Sequence, residues 1–128
     1  MKFKQSEAQT LNAIREYLQI LENQGKILFI RNNSFAGRIV RKDGSQGYVK
    51  NNKRGWSDFI VWKEIIGFLS QGTSGAVGRW LGTYFIEIKS SSGKLHSDQV
   101  AFAEQVRKLG GQYHVVRAVD EVKSILGI

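Results

Sequence analysis

The chain of 128 residues contains no cysteine, which excludes disulfides, thiolate zinc sites and a cysteine nucleophile. Only two histidines occur, His96 and His114. They are too few and too far apart for a zinc site, and they are expected to be structural. No apolar run approaches the roughly 18 residues that a membrane span needs, and the start, MKFKQSEAQT, lacks the apolar stretch of a secretory signal. A cytoplasmic protein without a membrane partner is therefore expected. What the chain has in excess is positive charge: 19 Lys and Arg against 11 Asp and Glu leave a net +8. A body this small and this basic attracts polyanions, of which nucleic acid is the commonest in a cell. The hydrophobic fraction of 41% and charged fraction of 23% are those of a globular protein and exclude a disordered tail. The length suits one domain spanning residues 1–128.

Ser6 and Gln9 form a capping-box pattern at the start of a helix. Leu11, Ile14, Leu18 and Leu21 follow at helical spacing, and Gly25 ends the pattern. Ile27 to Asn32 reads as a strand. Arg38 to Val40 and Gln46 to Val49 flank Lys42-Asp43-Gly44-Ser45, a hairpin signal. A polar, basic loop from Lys50 to Arg54 leads to a strand at Phe59 to Trp62. The stretch from Gly67 to Gly82 carries five glycines among apolar residues and is expected to be a long mobile loop or the extension of a hairpin. Thr83 to Lys89 is the strongest strand pattern. Ser97 is expected to cap a helix over Asp98 to Leu109, which Gly110-Gly111 stops. Gln112 to Arg117 reads as a strand, and Asp120 as the cap of a last short helix with Val122, Ile125 and Leu126. Without internal repeat or linker, this order describes one α/β domain.

Polar residues break the apolar pattern at three places. Glu7 shares a helical stripe with Leu11, Ile14 and Leu18, which points its carboxylate along the buried face. Gln99 stands on one stripe with Phe102, Ala103 and Val106. In the strand Thr83 to Lys89, Tyr84, Ile86 and Ile88 share one side, while Phe85, Glu87 and Lys89 share the other. Each has an ordinary explanation: an acid or an amide in a first helical turn, and an exposed ion pair. Together with Asp58, which follows a short turn at the mouth of the preceding strand, they suggest more. Two carboxylates and a lysine around one cleft suit a hard divalent cation, typically magnesium. Such an ion activates water and neutralises a phosphate oxygen, while the lysine orients the water or stabilises the phosphorane. With the positive charge, these parts suit phosphodiester hydrolysis.

Gly55-Trp56-Ser57-Asp58, Glu87-Ile88-Lys89 and Gly93-Lys94-Leu95-His96-Ser97-Asp98-Gln99 together resemble the PD-(D/E)xK nuclease superfamily, and within it the VRR-NUC (virus-type replication-repair nuclease) domain. The Ser6-Glu7 helix with Arg31-Asn32 resembles its opening segment, and GGQYHVVRAVDEV its closing one, so the resemblance spans nearly the whole chain. It implies an α/β single-domain restriction-endonuclease-like fold, with a central mixed β-sheet flanked by helices. It also implies catalytic positions at Glu7, Asp58, Glu87, Lys89 and Gln99. Asp58, Glu87 and the backbone carbonyl of Ile88 would hold Mg2+, or Mn2+ in its place, with Glu7 binding through water or taking a second ion. Lys89 would handle the nucleophile, and Gln99 would orient the site from its helix. The implied activity is that of a Mg2+-dependent, structure-selective endodeoxyribonuclease on branched DNA. Stand-alone members are similar in size to Holliday junction resolvases and are bacterial or phage-encoded, acting in the host cytoplasm. Cutting two strands would require a two-fold homodimer, with its contact expected on the short edge strands. Ser57 stands where many superfamily members have proline, and the segment from Ile65 to Gly82 is longer and more glycine-rich than the family pattern.

Arg38, Lys50, Lys53, Arg54 and Lys94 are the expected phosphate contacts, with Arg41, Lys42 and Arg107 also available. Trp56 and Tyr48 would stack on unpaired bases. Each phosphate neutralised would add about −0.9 to the log–log salt slope of binding. Two rival readings compete with the enzyme: a non-catalytic branched-DNA-binding module with a nuclease fold, and a small RNA-binding module. Dependence on a metal separates the enzyme from both.

Overall fold

The helix foreseen at the start of the chain, α1 (Glu7–Asn23), opens on the expected capping box. Gln9 N–H donates to Ser6 Oγ at 3.1 Å, and Ser6 N–H to Gln9 Oε1 at 2.9 Å. The computed structural model describes residues 5–32, 35–51, 55–68 and 75–128. The buried stripe of α1 is Thr10, Ile14, Leu18 and Leu21. Glu7 is exposed, contrary to the stripe expected from its spacing. In the first turn it reaches solvent while its charge still favours the helix N-terminus.

Six strands follow or intervene: β1 (Ile27–Arg31), β2 (Phe35–Val40), β3 (Gln46–Asn51), β4 (Phe59–Phe68), β5 (Val77–Ile88) and β6 (Gln112–Val116). Two further helices, α2 (Ser97–Lys108) and α3 (Val119–Leu126), flank β6 in the chain. β2 and β3 form a separate hairpin whose turn is held by Asp43, which accepts from Ser45 N–H at 2.9 Å and Ser45 Oγ at 2.6 Å. The main sheet has the order β1-β4-β5-β6; β1/β4 and β4/β5 are antiparallel and β5/β6 parallel. The architecture is thus mixed α/β, with a central mixed sheet flanked by helices. Among the described residues no helix is long and apolar enough to cross a membrane.

On one sheet face, Phe59, Val61, Tyr84, Ile86, Ile88 and Val116 join Ile14, Leu18 and Leu21 of α1 and Val122 and Leu126 of α3 in the main core. On the other, Ala103 and Val106 of α2 pack with Tyr113, Phe85 and Phe102. The C-terminal end of β5 is therefore covered from both sides, which explains the unbroken burial of Ile86, Glu87 and Ile88.

Over its described length the glycine-studded stretch takes the second of its two expected forms: β4 runs on to Phe68 and β5 begins at Val77, so the hairpin is extended. Its glycines make room across the ladder. A Cβ at Gly67 would meet the Trp80 ring at 2.9 Å, and one at Gly82 would collide with the Ile65 side chain. Large residues lean over these gaps and supply the packing that glycine lacks. The helix caps shift. His96, not Ser97, is the N-cap of α2, because the Gln99 side chain accepts the His96 N–H at 2.9 Å. Ala118 precedes α3, and Asp120 sits inside its first turn, where an acid favours the helix dipole without capping.

Candidate active site

Asp58 is positioned by a turn that depends on Gly55. This residue has φ +82°, and a Cβ there would overlap the Asp98 carbonyl at the start of α2. The turn is thus held directly against the helix that carries Gln99. Ser57 next to it is fully buried, and its hydroxyl donates to the Phe59 carbonyl at 2.9 Å. That bond fixes the residue that directly precedes Asp58. The Asp58 carbonyl accepts from Asn32 N–H at 2.8 Å, and its carboxylate accepts from Ile88 N–H at 2.8 Å. The backbone of β5 therefore aims the acid from β4.

Glu87 and Lys89 project from the end of β5 on the face that α2 covers. Their side chains are only 5% and 10% exposed, with Lys89 Nζ 3.4 Å from Glu87 Oε1. Lys89 N–H donates to the Val116 carbonyl at 3.0 Å, which continues the β5/β6 pairing past the formal strand end. Gln99 Nε2 donates to Glu87 Oε1 at 2.8 Å. Four of the five expected catalytic residues, Asp58, Glu87, Lys89 and Gln99, thus meet at one point from three separate segments.

Glu7, the fifth, stands apart. Among the described residues no three Asp, Glu or His side chains approach closely enough to hold a metal ion together. The expected trio of Glu7, Asp58 and Glu87 is not assembled, because Glu7 is turned to solvent from the first turn of α1. It acts on Asp58 through its field alone.

Burial, and then the charge of Asp58, pushes the Glu87 carboxyl up to about 7, against the opposing pull of Lys89. Burial likewise raises Asp58, opposed by the Ile88 N–H and the Lys89 charge and reinforced by Glu7. The two carboxyl groups lie within hydrogen-bonding reach of one another, so they can share a proton. The sequence reading passed over Tyr113. Its hydroxyl is buried with no hydrogen-bond partner among the described residues. Burial and the charges of Glu87 and Asp58 raise its pKa, so it remains a protonated donor facing the field of both acids. Alternation along β6 could have found it, since Tyr113 shares the face of Val115, the register partner of Glu87.

Arg117 was also missed as an individual residue. Its guanidinium donates to the carbonyls of Ser90 and Gly93, the latter at 3.0 Å, and so braces the loop that follows Lys89. Of the expected DNA contacts, Lys94 is exposed on that same loop. The backbones of Arg38 and Lys50 lie in β2 and β3, while Lys53 and Arg54 lie outside the described residues. Trp56 is half-buried and packs on Phe102, with ring centroids 4.9 Å apart, and edge-on to Phe85 at 6.0 Å. This contact takes one ring face into the aromatic packing beneath α2. Arg107 lies over the Tyr113 ring, and Tyr48 is exposed. His114 stacks on Tyr84 and bonds Gln112, and burial lowers its pKa, in keeping with a structural role.

No protein family, curated protein or solved structure matches the chain.

Proposed function

We propose that the chain is a metal-dependent endodeoxyribonuclease of the VRR-NUC type, built on a restriction-endonuclease-like fold, that hydrolyses phosphodiester bonds in branched DNA. The observation that carries this reading is the cluster of buried Glu87 and Lys89 with half-buried Asp58 and Gln99. Burying two carboxylates and an ammonium is costly, and apolar residues of similar volume would serve stability better. Acids that have been desolvated and pushed up in pKa mark a site kept for chemistry. A surface that only binds DNA gains nothing from two acids directed at phosphate. This weighs against the non-catalytic module.

The residues present fit a divalent cation. Asp58 and Glu87 offer hard oxygen donors side by side, and a cation would offset the burial that raises both carboxyl groups and the Asp58 charge that adds to it at Glu87. The unpartnered Tyr113 hydroxyl beneath them is a donor suited to an ordered water at such a centre. Asp58, Glu87 and the Ile88 carbonyl would hold Mg2+ or Mn2+, with Glu7 contributing through water. When bound, the cation supplies Lewis-acid stabilisation of the phosphate and a more acidic water.

The remaining work falls to the protein. Asp58 is held by the Ile88 N–H, so the distance between strand and acid is set before substrate arrives. Gln99 fixes Glu87 from the opposite side. Lys89, beside Glu87, orients the attacking water and offsets negative charge on the phosphorane oxygens. Lys94 and the basic hairpin β2–β3 would engage the DNA backbone on the approach.

The test is cleavage of labelled four-way junction, flap and linear duplex DNA with Mg2+, Mn2+ or EDTA, with Asp58→Ala and Lys89→Ala in parallel. Metal-dependent cutting of branched DNA, lost in both variants, is the expected result. Equal cutting of linear duplex would remove the selectivity for branches. Tight junction binding by a folded protein without cleavage would overturn the enzyme in favour of the binding module.

A further inference from the structure

Where α2 packs on the sheet it leaves an open pocket of about 410 Å³, with Trp56, Phe85, Phe102, Gln105, Val106 and Leu109 in its walls. Three chain segments set this pocket beside the acid cluster. Trp56 stands two residues before Asp58, in the turn that leads into β4. Phe85 stands two residues before Glu87 on the same face of β5, an offset of about 7 Å. Phe102 follows Gln99 by three residues along α2, a rise of about 5 Å. The walls are set in advance, since the Phe102 ring lies 4.9 Å from that of Trp56 and 5.2 Å from that of Phe85. None of the described side chains lining the pocket is charged. Leu109, at the C-cap of α2, is nevertheless 78% exposed, and the Gln105 amide is exposed beside it. An apolar pocket with one amide at its mouth suits a flat ligand with polar edges.

We infer that this pocket is a nucleobase site, which takes one unpaired base of a DNA strand whose neighbouring phosphate lies at the acid cluster. The inference rests on the proposed nuclease reading and gives it a source of selectivity. In a linear duplex the base is paired and stacked, and extruding it is costly; at a branch it is already loose. The size agrees: cavities of about 150 Å³ accept benzene, so the fused rings of a purine fit. The chemistry agrees as well. Every base has a face that packs on aromatic walls, and the Gln105 amide both donates and accepts, as base edges do. Charge points the same way. A chain of net charge +8 draws a polyanion, and a base is the flat, largely apolar group that this polyanion brings with it. Lys108, the i+3 neighbour of Gln105 on the surface of α2, stands beside the mouth for the adjoining phosphate. A protein partner is a poorer occupant. Stable protein interfaces engage about 20–30 residues a side, and this pocket offers a handful.

Equilibrium binding of flap DNA by fluorescence anisotropy, in EDTA so that nothing is cut, tests the site. A single abasic site is stepped through the nucleotides on either side of the branch. At one position, loss of the base should weaken wild-type binding by about 10-fold, and Leu109→Asp should erase that difference. Intact and abasic DNA are compared on each variant, so general repulsion by the new carboxylate cancels. Val100→Asp adds the same charge to α2 outside the pocket and should keep the difference. Leu109 is exposed, so far-UV circular dichroism should be unchanged in its variant. Abasic sites without effect at every position would leave the pocket to an apolar side chain of a protein and overturn the proposal. So would a 10-fold effect that survives Leu109→Asp, or flap DNA that does not bind. Absent cleavage with the base effect intact would remove the nuclease and spare the base site; branch cleavage without a base effect would do the reverse.

Discussion

The β4–β5 hairpin obeys different rules at its two ends. At the base, Phe59, Ile60 and Val61 face Ile86, Phe85 and Tyr84, and these three consecutive residues of β4 are all buried. Beyond Trp62 the same ladder continues, but Ile66, Phe68, Val77 and Leu81 are largely exposed. Strand pairing therefore persists without burial, held by Trp80 over Gly67 and Ile65 over Gly82. The buried end can hold charge, in Glu87 and Lys89, because the two pair with each other and Gln99 donates to Glu87; the exposed end carries the solvated Glu64–Arg79 pair. Desolvation, rather than strand geometry, separates the end that holds buried charge from the exposed one.

The comparison is broken most severely at the base. Asp58→Ala or Lys89→Ala should lower the cleavage rate by about 10³-fold or more, measured in single turnover with saturating Mg2+. Next, Ile86→Ala should cost about 3 kcal/mol in urea unfolding, whereas Leu81→Ala should cost under about 0.5 kcal/mol. Equal costs would mean that the outer hairpin has a core of its own.

Acidity sharpens the contrast further. Glu87 is raised from 4.5 to about 7, so the folded protein keeps a proton that the unfolded chain has released. The stability of metal-free protein should be full below about pH 4.5 and fall as the pH rises through 7, by up to about 3 kcal/mol. Added Mg2+ should flatten that fall. A urea midpoint that rises across this window without metal would contradict the assignment. The smallest effect belongs to the exposed end: Arg79→Ala should change stability by less than about 0.5 kcal/mol, and not at all in high salt.

Much of this was legible in the sequence where a local pattern and its neighbour agree. The Ser6–Gln9 box needs nothing beyond its own turn, and strict alternation on β5 put Glu87 and Lys89 on one side. Gln99 was found because its stripe is shared with Phe102, Ala103 and Val106. Failures occurred where the deciding atom lies elsewhere in the chain. Gly67 and Gly82 look like breakers until Trp80 and Ile65 are seen across the ladder. Glu7 fits the apolar stripe by angle alone, yet a first-turn residue has no element packed above it. His96 displaces Ser97 as the cap because Gln99 reaches back to it. Arg117 gave no pattern, since its task is to bind two carbonyls 24 and 27 residues away.

One amide links α2 to the acid. Gln99 spends its oxygen on the His96 N–H and its nitrogen on Glu87, so it cannot flip without losing both bonds. The first turn of α2 and Glu87 are therefore mechanically coupled: lifting the helix start withdraws a donor from the acid. Any load on the Gly93–His96 segment is therefore transmitted to Glu87 through a single side chain.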